Sequence, residues 1–92
     1  MRIQPNRSEL TGRVLRVEPA PDGHGAEIAV AVESCAPEGG KPDFLQAAPG
    51  STVMLFAAEV DEVAAGRRYT LSVTVLGGPR GERAVLQAAR PA

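Results

Sequence analysis

The chain has 92 residues, a formal net charge of −1 and only three aromatic side chains, two phenylalanines and one tyrosine. A single cysteine, Cys35, excludes an internal disulfide, and the longest apolar run, 53–58, is far too short to cross a bilayer. We therefore expect one soluble, cytoplasmic domain over 1–92, without a membrane partner and with flexible ends at 1–7 and 90–92.

The first part of the sequence predicts two strands joined by a tight turn. The segment 10-LTGRVLRVE-18 has an early glycine and apolar side chains on both parities, which is typical of a strand that bends. A turn rich in Pro, Asp and Gly follows at 19–25, and 27-EIAVAVES-34 then alternates between apolar and other residues. The residues expected to face inward are Ile28, Val30 and Val32, and those expected to face outward include Glu27 and Glu33.

The middle of the chain predicts a loop, a third strand and a short helix. The segment 36–50 is too rich in Pro and Gly for a stable helix, and its Phe44 and Leu45 are expected to plug one end of the core. The run 52-TVMLFAAEV-60 is apolar on both faces, the pattern of a strand that is covered on each side. The segment 60-VDEVAAG-66 predicts a short helix that ends at its glycine.

The last part of the sequence, 69-YTLSVTVLGGPRGERAVLQAA-89, predicts a hairpin of two strands around a Gly/Pro turn. In the first of these strands, one face is expected to point inward and consists of Tyr69, Leu71, Val73 and Val75. The other face is expected to point outward and consists of Thr70, Ser72 and Thr74. Phe56, in the third predicted strand, is expected in the core together with Tyr69.

Five short strands with this spacing resemble an oligonucleotide/oligosaccharide-binding (OB) barrel, and the resemblance rests on 12-GRVLRV-17, 50-GSTVMLFA-57 and 66-GRRYTLSVTV-75. It implies an all-β fold, a small five-stranded antiparallel barrel with a short helical link between strands 3 and 4. In OB domains the face of strands 2 and 3 binds the ligand, together with the loops that follow strands 1 and 4.

A second resemblance is to the small β-barrel domains of the TOBE type, which bind molybdate or regulate transporter ATPases. It rests on 6-NRSELTGRV-14 and 50-GSTVMLFAAEV-60. The central Ala-x-Ile-Thr-like segment of that family is missing where 36-APEGGKPDFLQ-46 stands, and the terminal hairpin does not belong to it. The resemblance implies binding of a small oxyanion.

Charge is distributed unevenly along the chain. Residues 1–17 carry four arginines against one glutamate, 18–62 carry nine acids against one lysine, and 63–92 carry five arginines against one glutamate. Predicted strands 2 and 3 fall in the acidic part, where Glu27 and Glu33 would repel a phosphate backbone. A displaced nucleic-acid or anion surface on the terminal hairpin is the alternative. Its candidate contacts are Arg67, Arg68, Thr70, Ser72, Thr74, Arg80, Arg83 and Gln87.

The sequence offers no set of residues that specifies a reaction. The one histidine, His24, lies in 22-DGHG-25, where Asp-Gly already explains a tight turn, and no other ligand stands at metal-binding spacing. A nucleophilic role for Cys35 needs an activating base that the sequence does not place beside it. We therefore predict no enzyme, no cofactor and no metal.

The remaining hypotheses are all binding functions. The first is a non-enzymatic binding or adaptor module that recognises a protein partner, or a second copy of itself, through a strand edge and the surface around Glu27 and Glu33. The second is binding of single-stranded nucleic acid by the terminal hairpin, which would weaken steeply with salt. The third is binding of a small oxyanion.

Overall fold

The computed structural model describes residues 5–21, 23–58, 63–78 and 81–92. In this part of the chain the backbone forms five strands and no helix. The predicted all-β class with five strands is therefore confirmed. The strands are β1 (Ser8–Pro19), β2 (Ala26–Pro37), β3 (Thr52–Ala57), β4 (Arg68–Gly78) and β5 (Gly81–Pro91).

The described residues contain no helix long and apolar enough to cross a membrane.

The five strands form one sheet that closes on itself as a ring. Their order is β1-β2-β3-β5-β4, and β4 pairs with β1 to complete the circle. Four of the five neighbouring pairs are antiparallel. The fifth, β3 with β5, is parallel, so the prediction of an antiparallel barrel is wrong for this pair, and in the described residues it consists of a single register pair, Phe56 with Val85. The boundary between β3 and β5, called the seam below, is therefore the least connected part of the ring.

The bend that the sequence predicts in β1 coincides with a bulge in that strand, and a second bulge lies in its partner β2. The register between β1 and β2 shifts between Thr11 and Gly12 and again between Val14 and Arg16. Because Leu15 is the extra residue at the second shift, its side chain stands out of the ladder and remains 46% exposed. Gly12 lies at the first shift, and a Cβ atom there would come within 2.3 Å of the Ala31 carbonyl oxygen.

Inward-facing side chains from all five strands fill the ring. The predicted inner residues of β2 and β4, among them Ile28, Val30 and Leu71, are all buried. Leu45, from the loop between β2 and β3, packs against this core as predicted, whereas Phe44 is 41% exposed. The prediction that Phe44 plugs the core is wrong, because its side chain lies at the surface.

The helix predicted over 60–66 is wrong for the part that the structure describes. Residues 59–62 lie outside the described residues, and 63–66 contain a turn rather than a helix. Their main-chain groups bond outside the segment: the Ala64 N–H donates to the Tyr69 hydroxyl at 2.8 Å, and the Gly66 N–H to the Val14 carbonyl at 2.7 Å. Bonds to β1 and to Tyr69 replace those that a helix would make internally.

The amino-terminal part of the described chain is tied to β4 by Asn6. Its side-chain N–H donates to the Val75 carbonyl at 3.0 Å, and its side-chain oxygen accepts from the Val75 N–H at 2.8 Å. At the other end, residues 90 and 91 belong to β5. The flexible ends expected at 1–7 and 90–92 stay a prediction.

Candidate functional site

The polar outer face of β4, which the sequence suggests as a nucleic-acid surface, is engaged in contacts within the chain. Arg68 donates two hydrogen bonds to the Glu33 carboxylate, at 2.8 and 2.6 Å. Ser72 is buried and donates to Glu38 at 2.7 Å, and Thr74 donates to the Asn6 carbonyl at 3.3 Å. The Thr70 and Thr11 hydroxyls lie 3.4 Å apart. A ligand on this face would have to displace these contacts.

Glu33 and Arg68 form a bidentate ion pair on the surface. The hydrogen bond from Arg68 holds the pKa of the Glu33 carboxyl below its ordinary value. Both side chains remain more than two-fifths exposed, so the pair orients two charges but contributes little to stability. Each charge neutralises the other. Glu33 therefore does not offer a free negative charge to a protein partner, and Arg68 does not offer a free positive charge to a phosphate.

The other candidate residues of the hairpin do not gather into one patch. Arg67 is exposed and lines a shallow cleft with Arg13 and Arg68. Gln87 is exposed on β5, and Arg80 lies outside the described residues. Arg83 lies on a different part of the closed sheet, over the aromatic ring of Phe56. The seven candidates that the structure describes are therefore divided between at least two surfaces.

The outer face of β3 carries large apolar side chains. Leu55 and Ala57 point inward and are buried, so Met54 and Phe56 point outward. Met54 is 48% exposed and Phe56 is half-buried. The expectation that Tyr69 belongs to the core is confirmed, whereas the expectation for Phe56 is wrong. The reason is its parity, which places it on the opposite face from Leu55.

Phe56 forms one wall of a groove of about 400 Å³. The groove is lined by residues from the β1–β2 connection, β2, β3 and β5. They are Ala20, Pro21, Glu27, Met54, Phe56, Arg83 and Ala84. The Arg83 guanidinium carbon lies 4.6 Å from the centroid of the Phe56 ring, a cation–π distance. The groove thus combines an aromatic face, a flexible thioether, one cation and one carboxylate.

A second depression of about 300 Å³ adjoins the first. It shares Met54 and Ala84 with the first groove, and it is otherwise lined by side chains of the β2–β3 loop, β3 and β4. Its lining residues are Phe44, Leu45, Val53, Met54, Val75 and Ala84. The two depressions together follow the junction of β3 and β5, and we refer to them as the seam groove.

Cys35 does not have the surroundings of an activated nucleophile. Burial raises the pKa of the Cys35 thiol, and the neighbouring Asp43 carboxylate, 3.4 Å from the sulfur, raises it further. A thiol in such surroundings is a poor nucleophile at neutral pH. His24 lies exposed in the β1–β2 turn. Within the described residues no group of three or more His, Cys, Asp and Glu could hold a metal ion.

Sequence reasoning missed the seam groove, although one feature of the sequence pointed to it. The run 52-TVMLFAAEV-60 is apolar at both parities. That pattern predicts a strand covered on both sides, but it also fits a strand whose outer face is apolar for a ligand. Met54 and Phe44 are the residues that reasoning from the sequence did not assign to a surface.

A scan against protein-family models, a search of curated proteins and a search of solved structures each find no match for this chain.

Proposed function

We propose that this chain is a non-enzymatic binding module with an OB-like barrel, and that it binds a protein partner in the seam groove. The ring order and the bulged first strand support the OB-like assignment. So does the position of the groove, because OB modules bind their ligands on strands 2 and 3, beside the loops that follow strands 1 and 4. Glu27, Met54 and Phe56 lie on these strands, and Ala20 and Pro21 follow β1.

The observation that carries the proposal is the clustering of exposed apolar side chains. Of the three large hydrophobic side chains that are exposed in the described residues, Phe44 and Met54 both line the seam groove. Phe56 and Arg83 extend the same surface. Aromatic residues, Met and Arg are enriched in the cores of protein interfaces, where they supply most of the binding energy.

Charge favours a protein over a nucleic acid as the ligand. Arg68, Arg90 and Arg16 are each paired with a glutamate, which reduces the positive potential of the surface. The groove itself contains the Glu27 carboxylate opposite one guanidinium. A phosphate backbone needs several cations along its path, whereas a protein segment needs only one or two matched charges.

Photo-crosslinking in the cells that make the protein tests the proposal. We would introduce p-benzoylphenylalanine in place of Met54 and, as a matched control, in place of Leu15, which is equally exposed but lies at the bulge of β1. We expect adducts from position 54 that protease removes and nuclease does not, and none of them from position 15. Adducts with the mass of two copies would identify the partner as the chain itself. Identical adducts from both positions would refute the proposal.

Binding of single-stranded nucleic acid is the second candidate, and the contact of Arg83 with Phe56 favours it. An aromatic ring beside a guanidinium can stack a base, which contributes roughly 1–3 kcal/mol per base. The test is a titration of the labelled chain with a mixed-sequence single-stranded oligonucleotide, followed in amide NMR spectra at low and at higher salt. Shifts around Phe56 that Phe56→Ala abolishes and salt weakens steeply would place this function ahead of the first.

A further inference from the structure

We propose that the partner enters the seam groove as an added β-strand, which pairs with the edge of β3 that faces β5. The added strand would be an extended apolar segment with one acidic residue. This inference rests on the proposed function, because it specifies how a protein ligand would occupy the groove. It is carried by the backbone of β3, by the short contact between β3 and β5, and by the charges in the groove.

The main-chain groups of β3 point alternately toward β2 and toward the seam. In an antiparallel ladder, hydrogen-bonded pairs alternate with pairs that are not bonded. The Val32 N–H donates to the Ser51 carbonyl at 2.8 Å, and the register continues with Val30 opposite Val53. By this alternation, Val53 and Leu55 bond to β2. The N–H and C=O groups of Thr52 and Met54 therefore point away from β2, toward the seam.

The edge of β3 that faces β5 is paired at one position. Among the described residues of the two strands the ladder consists of Phe56 with Val85, and it does not continue to Met54. The side chains of the seam groove lie beside this interrupted part of the ladder: Val53 and Met54 on one wall, Ala84 on the other. An unpaired edge beside an apolar groove is the surface that strand addition requires.

The seam groove offers a separate surface to each face of an added strand. Successive side chains of a strand point to opposite faces. Those that face the ring would meet the depression between Val53, Val75 and Leu45, which accepts apolar groups. Those that face outward would lie over Met54 and Phe56. The open edge from Thr52 to Leu55, before the pair at Phe56, would accommodate roughly four residues at about 3.3 Å each.

The seam groove carries one cation and one carboxylate. The Arg83 guanidinium carbon lies over the Phe56 ring, and a guanidinium has five N–H donors, so it can donate to a carboxylate of the added segment. Glu27 is the register partner of Phe56 on β2 and lines the same groove. A segment with one acidic residue can match Arg83 and avoid Glu27. A nucleic-acid strand carries a phosphate at every nucleotide, so it cannot avoid Glu27.

Selection from a displayed library of random short peptides tests the inference. We expect the enriched peptides to alternate apolar residues and to carry one acidic residue at a fixed place. Their affinity should fall about tenfold or more, roughly 1.4 kcal/mol, for Met54→Arg and for Arg83→Glu. The matched controls Leu15→Arg and Arg67→Glu make the same charge changes at exposed sites outside the groove and should leave the affinity unchanged. Amide spectra establish that each variant is folded.

Backbone methylation of the selected peptide separates strand addition from side-chain docking, and it leaves the protein unaltered. N-methyl groups on the alternate amides that face β3 should abolish binding, whereas methyl groups on the other amides should not. If both methylated peptides bind the groove equally well, strand addition is wrong and the proposed protein-binding function stands. The inference is wrong if no peptide is enriched, or if the enriched peptides bind the Met54→Arg variant as tightly as the wild type. The crosslinking experiment then decides the function separately. Binding of an oligonucleotide in the groove in preference to the peptides would also overturn it.

Discussion

Gly12 lies where β1 passes closest to β2, and its replacement by alanine should destabilise the protein severely. The new Cβ atom would stand 2.3 Å from the Ala31 carbonyl oxygen and 2.9 Å from Cγ1 of Val30. An ordinary carbon–oxygen contact is about 3.3 Å, so the two strands must separate by about 1 Å. The obstacle is a main-chain carbonyl in a ladder, so no side-chain rotation relieves it.

The magnitude follows from what that separation disrupts. Overpacking in a filled site costs about 1–3 kcal/mol, and each weakened hydrogen bond of the β1–β2 ladder adds about 1 kcal/mol. We therefore expect Gly12→Ala to lower the free energy of unfolding by about 3 kcal/mol. For a domain of this size that corresponds to a fall in Tm of about 12–24 °C.

Gly77→Ala is the matched control for this prediction. Gly77 is also in a strand, it has no positive φ, and a Cβ atom there would meet nothing within 4 Å. The same substitution at this site should be neutral or stabilise by up to about 1 kcal/mol. Urea unfolding of the three proteins measures both effects. A Gly12→Ala variant as stable as the wild type would show that β1 and β2 do not approach each other as described.

Three further predictions concern stability. Leu71→Ala, at a fully buried site, should lower the free energy of unfolding by about 3 kcal/mol in urea unfolding, and a change below about 1 kcal/mol would contradict the inward parity of β4. Asn6→Ala should cost about 2–3 kcal/mol because it leaves both main-chain groups of Val75 unsatisfied, whereas Gln87→Ala, at an exposed site, should change little. Asp43 should make stability fall in acid. Burial alone would raise its pKa, but hydrogen bonds, chiefly from the Gln46 N–H, lower the pKa below that of the unfolded chain. Its contribution is therefore complete above about pH 5, where the carboxyl is ionised in both states, and is lost as pH falls through the unfolded and then the folded pKa. The stability advantage of the wild type over Asp43→Asn should thus shrink below about pH 5; an advantage independent of pH would contradict it.

Alternating strands could be predicted from the sequence because one face alone was apolar. In β2, Ile28, Val30 and Val32 alternate with polar or small residues, so burial of one parity follows directly from the pattern. In β3 both parities are apolar, and the pattern cannot say which face is covered. That depends on β5, a strand distant in sequence that meets β3 at one register pair.

The pairing of surface charges could not be predicted either, for a related reason. Glu33 and Arg68 are 35 positions apart and meet because β1 lies between their strands. The bulge opposite Thr11 and Gly12 places Glu33 as the extra residue of β2. A bulge depends on how two strands fit together, and a single strand's composition does not record it.

The missing helix has a similar origin. The sequence of 60–66 has the composition of a short helix, but such a helix is marginal without packing. The last residues of this segment donate their hydrogen bonds to strands instead. The Gly66 N–H donates to the Val14 carbonyl, and the Ala64 N–H donates to the Tyr69 hydroxyl. Tertiary hydrogen bonds thus outweighed local preference.

The single pair that joins β3 to β5 also bears on the order in which the chain folds. The β1–β2–β3 meander and the β4–β5 hairpin can each form from neighbours in the sequence, whereas closure of the ring requires contacts between distant segments. We expect the seam to form last and to open first, so the Phe56 amide, which lies at the register pair of the seam, should exchange its hydrogen with solvent faster than the amides of β2, which is paired on both sides. Such an opening would turn the ring into a curled sheet without separating any of its antiparallel strands.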